Sequence, residues 1–128
     1  MIENVRVSEK AKNQLITLKR RTGIQNWNVL CRWAFCLSLA EPTKPPAEKI
    51  PSDSNVDMTW KTFTGGLEQE YWTLLLAKAM KDDIQPTEDH ITDYFRLHLH
   101  RGISYLFSGR CESLRDLNKL TMSSSGTS

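Results

Sequence analysis

Cysteine is scarce in this 128-residue chain, and its spacing pairs nothing. Cys31, Cys36 and Cys111 form no C-x-x-C, and an odd number argues against a disulfide framework. Long apolar runs are missing as well: none approaches the roughly 20 residues that span a bilayer. Met1 leads straight into polar sequence, with no apolar signal segment. Together these absences set the expectation of a soluble chain in a reducing, cytoplasmic setting, with no membrane partner. Histidine is equally sparse. His98 and His100 are two apart on an expected helix and point about 200° from each other at 3.6 residues per turn. His90 lies on neither azimuth, whereas zinc ligands sharing a helix stand at i and i+4. No metal and no cofactor are expected, and His98 reads as a core histidine with a hydrogen-bonded ring nitrogen. Four of the five prolines fall in one stretch, "EPTKPPAEKIPSDSN", so proline breaks the chain once and leaves the rest free for helices.

Excess charge of either sign is missing overall, since the formal net charge is only +2. Its distribution is uneven. Residues 1–40 hold seven bases (Arg6, Lys10, Lys12, Lys19, Arg20, Arg21, Arg32) against Glu3 and Glu9, a balance of +5, and the remainder carries −3. The N-terminal part is therefore expected to face an anion, and the acidic remainder other proteins or solvent.

The length suits one domain with a real core. Ile2 to Ser8 reads as a short strand, with Val5 and Val7 on one side and Asn4, Arg6 and Ser8 on the other. Ser8 is a natural cap for a helix to about Arg21, with Ala11, Leu15 and Leu18 in one apolar stripe. Lys12, Lys19, Arg20 and Asn13 fall opposite that stripe, and Lys10 and Arg21 on a flank. Gly23 suits a left-handed helix end, and Asn26 the cap of the next helix, about Trp27 to Glu41. This second helix has only Asn28, Arg32 and Ser38 as polar members before Glu41, which predicts burial on every side and self-association to supply the cover. Residues 42–55 read as a solvent-exposed, Pro-rich loop whose order the sequence leaves open. "VDMTWKTFTGG" reads as a strand or extended segment ending at Gly65-Gly66. A third helix follows from about Leu67 to Lys81, and a fourth from Pro86-Thr87 to about Ser108. Gly102 lies at the centre of the fourth helix's inward face, where it would admit a closely packed neighbour. "CESLRDLNKL" reads as a short last helix, and residues 121–128 as a disordered tail.

The pattern holds little catalytic chemistry. "TFTGGLE" has two glycines before a helix but lacks the lysine of a P-loop, so a tight turn is favoured over a phosphate cradle. Cys31 and Cys36 sit in apolar surroundings that keep a thiol protonated. Asp82, Asp83, Glu88 and Asp89 read as solvated helix-end charges. No nucleophile–base pair emerges, so a non-catalytic protein is expected.

Strand, helix and apolar second helix follow one another as in ribbon-helix-helix DNA binders, where paired strands lie on the duplex and the second helix builds the dimer core. The fold expectation is therefore mainly α: a short strand, a ribbon-helix-helix-like helix pair and two longer C-terminal helices, in one compact domain over residues 1–120. Three collinear segments sharpen this: "TGIQNWNVLCRWAFCLSLAE", "WKTFTGGLEQEYWTLLLAKA" and "HLHRGISYLF". They resemble the DndE family of bacterial DNA sulfur modification proteins, although that family commonly has Gly-Glu where this chain has Gly65-Gly66.

The resemblance implies a non-catalytic, DNA-engaging component of the machinery that replaces a non-bridging backbone oxygen of DNA with sulfur. It implies a mostly helical homotetramer that prefers nicked duplex. It also implies partner proteins: a cysteine desulfurase, an iron–sulfur sulfurtransferase-like protein and an ATPase-like protein. From the residues, the expected DNA contacts are Arg6, Lys10, Lys12, Lys19, Arg20 and Arg21. The expected oligomer interface centres on Leu30, Trp33, Ala34 and Leu37. The alternative is an interaction scaffold that docks its partners through the acidic half, with DNA contact incidental.

Overall fold

The Ser8 side chain accepts a hydrogen bond from the Ala11 amide and opens α1 (Glu9–Thr22), which Gly23 closes in the left-handed conformation at φ 76°. In the computed structural model, which describes residues 1–109, this helix is preceded by β1 (Asn4–Arg6) and followed by α2 (Trp27–Ala40), β2 (Asp57–Thr59), α3 (Trp60–Thr64), α4 (Glu68–Lys81) and α5 (Glu88–Phe107). The helical architecture agrees with the sequence expectation. The suggested last helix, the tail and Cys111 lie outside the described residues.

Two local findings were not expected. The strand's partner lies in its own chain: β1 pairs antiparallel with β2, Val5 opposite Met58 and Arg6 opposite Asp57. The ribbon is thus closed within one protomer, unlike the intermolecular ribbon of the motif it resembled. The second concerns "WKTFT", which folds as a short helix after only three residues of strand. The Thr59 side chain caps it by accepting from the Thr62 amide, and Gly65 ends it at φ 65°. The glycine pair is therefore the tight turn that the sequence favoured.

The core lies where α2 crosses α5, with α1 also packed on α5. From α2 come Leu30, Cys31, Ala34 and Phe35, and from α5 Phe95, Leu99, Ile103 and Leu106, all buried. Phe35, Phe63, Phe95 and Trp60 meet with ring centroids 5.1 to 5.7 Å apart, mostly edge to face. At the crossing, Gly102 rests against the Ala34 backbone. A Cβ there would fall on the Ala34 carbonyl and 3.0 Å from its Cα. The glycine thus admits a close neighbour, as its position suggested.

The cover over α2 comes largely from its own chain. Leu30, Cys31, Ala34, Phe35 and Ser38 are buried, while Trp27, Val29, Trp33, Cys36, Leu37 and Leu39 are half-buried. The need for outside cover is smaller than an all-round apolar helix implied, because α5 and the aromatic cluster supply most of it.

The Pro-rich segment is mostly exposed but held at several points. Arg96 donates to the Ile50 carbonyl at 2.7 Å and to Pro51 at 3.2 Å, and Arg101 donates to Thr43 at 2.9 Å. Ser54, buried, donates to the Val7 carbonyl at 2.7 Å. A loop without regular structure is thereby fixed by side chains of α5 and by β1's continuation.

Two histidines tie these elements together. Ser38 Oγ lies 2.8 Å from His98 Nδ1 and receives Arg101 Nε–H at 2.9 Å. His98 Nε2 is buried without a hydrogen-bond partner among the described residues. His100 Nε2 accepts from the Ser8 amide at 3.1 Å, and its Nδ1 donates to the Arg96 carbonyl at 2.8 Å. Burial, then the charges of Arg101 and Lys78, push His98 down from 6.5 to about 4, against the opposing pull of Asp82. Burial likewise lowers His100 to about 4, against the bond to the Arg96 carbonyl.

Both rings are neutral when folded, while an unfolded histidine takes up its proton near 6.5. Their contribution is therefore complete above pH 6.5 and is lost as pH falls towards about 4, by roughly 3 kcal/mol for His98. Urea midpoints should fall over that window, and His100→Gln should make the fall shallower. An unchanged slope in the variant would refute the assignment. Gly102→Ala should cost about 3 kcal/mol or more by forcing the helices apart, lowering the melting temperature by roughly 10 °C. A melting curve within about 2 °C of the parent would contradict so tight a crossing.

Candidate nucleic-acid interface

Two α1 lysines, Lys12 and Lys19, are seven residues apart and so share one side of the helix. They border a groove of about 580 Å³, floored by the first turn of α2 and by β2, with Trp27, Asn28, Asp57 and Met58 among its walls. Lys19 Nζ lies 3.6 Å from the centre of the Trp27 ring, within cation–π range. Asn28 donates to the Thr62 carbonyl at 3.1 Å and so fixes the groove's far wall to α3. Asn26 precedes α2 without a capping bond from its side chain, and α2 has no acidic residue in its first turn.

The six cations expected to face DNA do not form one surface. Arg6 is already committed: its guanidinium meets Asp57 at 3.3 Å and donates to the Ser54 carbonyl at 3.4 Å. Arg21 donates to the Phe107 carbonyl at 3.2 Å, with its guanidinium 5.4 Å from the Phe107 ring. It thereby satisfies a carbonyl at the negative end of α5. Lys10 lies on the other flank of α1, beside a second cleft of about 480 Å³ walled by the Pro-rich loop and α5. Arg20 is exposed. Lys10, Lys12, Lys19 and Arg20 make no ion pair among the described residues.

The expected interface residues divide in the same way. Leu30 and Ala34 are fully buried inside the protomer, where they pack the core and have no surface to offer a second copy. Trp33 and Leu37 remain half-buried on the outside of α2. The helix α4 meets α2 where Tyr71 lies against Phe35 and Cys36, and the end of α2 where Lys78 donates to the Glu41 carbonyl at 3.4 Å. Leu74 on α4 and Leu67 just before it are exposed by about half.

Cys31, Cys36 and Tyr94 are held in their neutral forms by their surroundings. Burial pushes the Cys31 thiol up to about 12 and raises that of Cys36, the latter partly offset by Tyr71 and Arg32. Tyr94 donates to Asp82 at 2.6 Å; burial, then that carboxylate, raises its hydroxyl far above the usual phenol range. No cluster of three metal-ligating side chains occurs among the described residues. No helix among them is long and apolar enough to cross a membrane.

Sequence reasoning missed Trp27, Asn28 and Met58 as parts of the groove. Trp27 stands eight residues after Lys19, across a helix end, and only the α1–α2 angle brings the two together. The faint signal was an indole at the first position of a helix whose preceding turn is rich in amides.

Comparison with known proteins bears on what such a surface serves. A structure of DndE from Escherichia coli B7A, described as involved in DNA phosphorothioation modification, superposes with a TM-score of 0.69 at 23% identity, over 83% of this chain and 98% of that one. A DndE G21/24K mutant, described as involved in DNA phosphorothioation, gives a TM-score of 0.65 at 20% identity, over 84% and 99%. These likenesses show the shared fold. No curated protein sequence matches the chain. The family model described as DNA sulphur modification protein DndE matches residues 4–113, which is most of the chain. This chain belongs to the DndE family of DNA sulphur modification proteins.

Proposed function

We propose that this protein is the DNA-binding accessory component of a DNA phosphorothioation machinery, and that it contributes no catalytic group. The observation that carries this reading is the set of α1 cations left without ion-pair partners among the described residues: Lys12, Lys19, Arg20 and, on the opposite flank, Lys10. Each can neutralise a duplex phosphate without reading sequence. The Cys31 thiol and the His98 imidazole are buried and neutral, which suits a protein that binds while others carry the chemistry.

Self-association completes the mechanism. Trp33 and Leu37 on α2, with Leu74 on α4 and Leu67 just before it, provide apolar surface for a homo-oligomer, in keeping with the tetramer suggested by family resemblance. Assembly repeats the basic face on each subunit and steepens the salt dependence of binding. The preference for nicked duplex follows the same logic, because a nick removes stacking continuity and lets DNA bend onto a rigid array of cations.

A second reading, the partner-docking scaffold, draws on a hollow of about 500 Å³ rimmed by Glu3, Glu88, Asp89 and Asp93 at the far end of β1. Its acidic rim suits a basic protein partner.

Changing Lys12, Lys19 and Arg20 together to Glu should abolish gel-shift binding to nicked and intact duplex without altering oligomer size. Full affinity in that variant would dismiss DNA binding through α1 and favour the scaffold. Separately, Trp33→Ser with Leu37→Ser should reduce the particle mass in light scattering towards one protomer. An unchanged mass would remove α2 from the interface.

A further inference from the structure

The groove between α1 and α2 supports a more specific assignment, which rests on the DNA-binding reading above. Its walls carry three charged groups, Lys12, Lys19 and Asp57. The carboxylate is already satisfied by Arg6 at 3.3 Å, so the field that an approaching ligand meets is that of two ammonium groups. A lysine side chain is ordinarily a mobile four-carbon stem, and ordering it costs rotamer entropy at each contact. Lys19 differs, because the Trp27 ring holds its ammonium 3.6 Å from the ring centre before any ligand arrives. Asn28 anchors the α2 end of the groove by its bond to Thr62, so the indole itself stands on a fixed wall.

The spacing of the cations selects the kind of anion. Lys12 and Lys19 are two helical turns apart, about 10 Å along the axis. A small isolated anion would engage one ammonium and leave the other idle. An extended polyanion meets both, one phosphate at each.

We infer that the α1–α2 groove seats a nucleic-acid backbone segment, with one phosphodiester at Lys19 and a neighbouring one at Lys12, and that Trp27 is the positioning residue that presents Lys19. Trp27 acts through the lysine and makes no base-specific contact. It adds affinity by sparing Lys19 the ordering that a free lysine would undergo on binding. The Arg6–Asp57 pair keeps the groove's one carboxylate from competing for the ammonium groups.

The test is duplex binding by fluorescence anisotropy across a salt series, with Lys19→Met, Trp27→Leu, Trp27→Phe and the double variant Trp27→Leu/Lys19→Met. Lys19→Met should reduce the slope of log affinity against log salt by about one. Trp27→Leu should weaken binding roughly three- to fivefold, the size of an exposed cation–π contact, and Trp27→Phe should restore most of the loss. The double variant should bind no more weakly than Lys19→Met alone, an outcome that a merely structural role for the indole would not give. Wild-type affinity in Trp27→Leu, or a full Trp27 effect surviving in the Lys19→Met background, overturns the inference.

Lysine acylation of the unmodified protein removes any dependence on variant folding. Duplex should protect Lys12 and Lys19 and leave Lys61 and Lys81 reactive, and inorganic phosphate should protect neither pair. A Lys19 that stays reactive under saturating duplex overturns the assignment, and protection by inorganic phosphate alone reassigns the groove to a small anion. If the triple Glu variant of α1 still binds DNA, the broader reading falls. If it does not bind and the Trp27 series is flat, only this inference falls.

Discussion

The close approach of α2 and α5 at Ala34 and Gly102 is the constraint around which the molecule is arranged. Helices normally pack 8–10 Å apart because side chains hold them off. Here one partner has no side chain at the contact, so backbone meets backbone. That proximity brings Ser38 to His98 and Phe35 to Phe95. It also places Arg101 where its guanidinium spans Ser38 and Thr43, fixing the start of the Pro-rich segment to the same crossing. Loss of the close contact would therefore reach the loop as well as the core.

Electrostatics are arranged more sparingly than a count of charges suggests. Seven bases lie in the first 40 residues, yet Arg6 is matched to Asp57 and Arg21 closes the end of α5. Arg32 likewise reaches the Phe63 carbonyl at 3.4 Å and lies over Gly65 at the α3–α4 turn. Three arginines are thus spent on joining elements, as suits a planar fork of several donors. The lysines of α1 carry the outward charge. Those three guanidinium groups hold the protein together, and Arg20 with the lysines of α1 is left for what lies outside.

Much of the fold was legible because it depends on local rules. Ser8, Gly23 and Thr87 occur where helix ends require a short acceptor or a left-handed residue. The stripe of Ala11, Leu15 and Leu18 identified the buried side of α1. Less was legible where short segments find distant partners. Three residues of β2 carry too little pattern to announce that they pair with β1, some 50 residues earlier in the chain. An all-round apolar α2 likewise cannot say which of its faces its own chain will cover, so Leu30 and Trp33 looked alike, although one is fully buried and the other half-buried.

The sequence by itself determined the four longer helices, most of their ends, the concentration of positive charge at the N-terminal end and the family, because each is a property of spacing or composition along the chain. Only the tertiary structure decided which cations remain available and which aromatic ring accompanies them. Asp57 reaches Arg6 through the strand pairing, Phe107 reaches Arg21 through the packing of α1 on α5, and Trp27 reaches Lys19 through the angle between α1 and α2. A charge is free or committed according to what folds beside it, and that neighbour need not be near it in sequence.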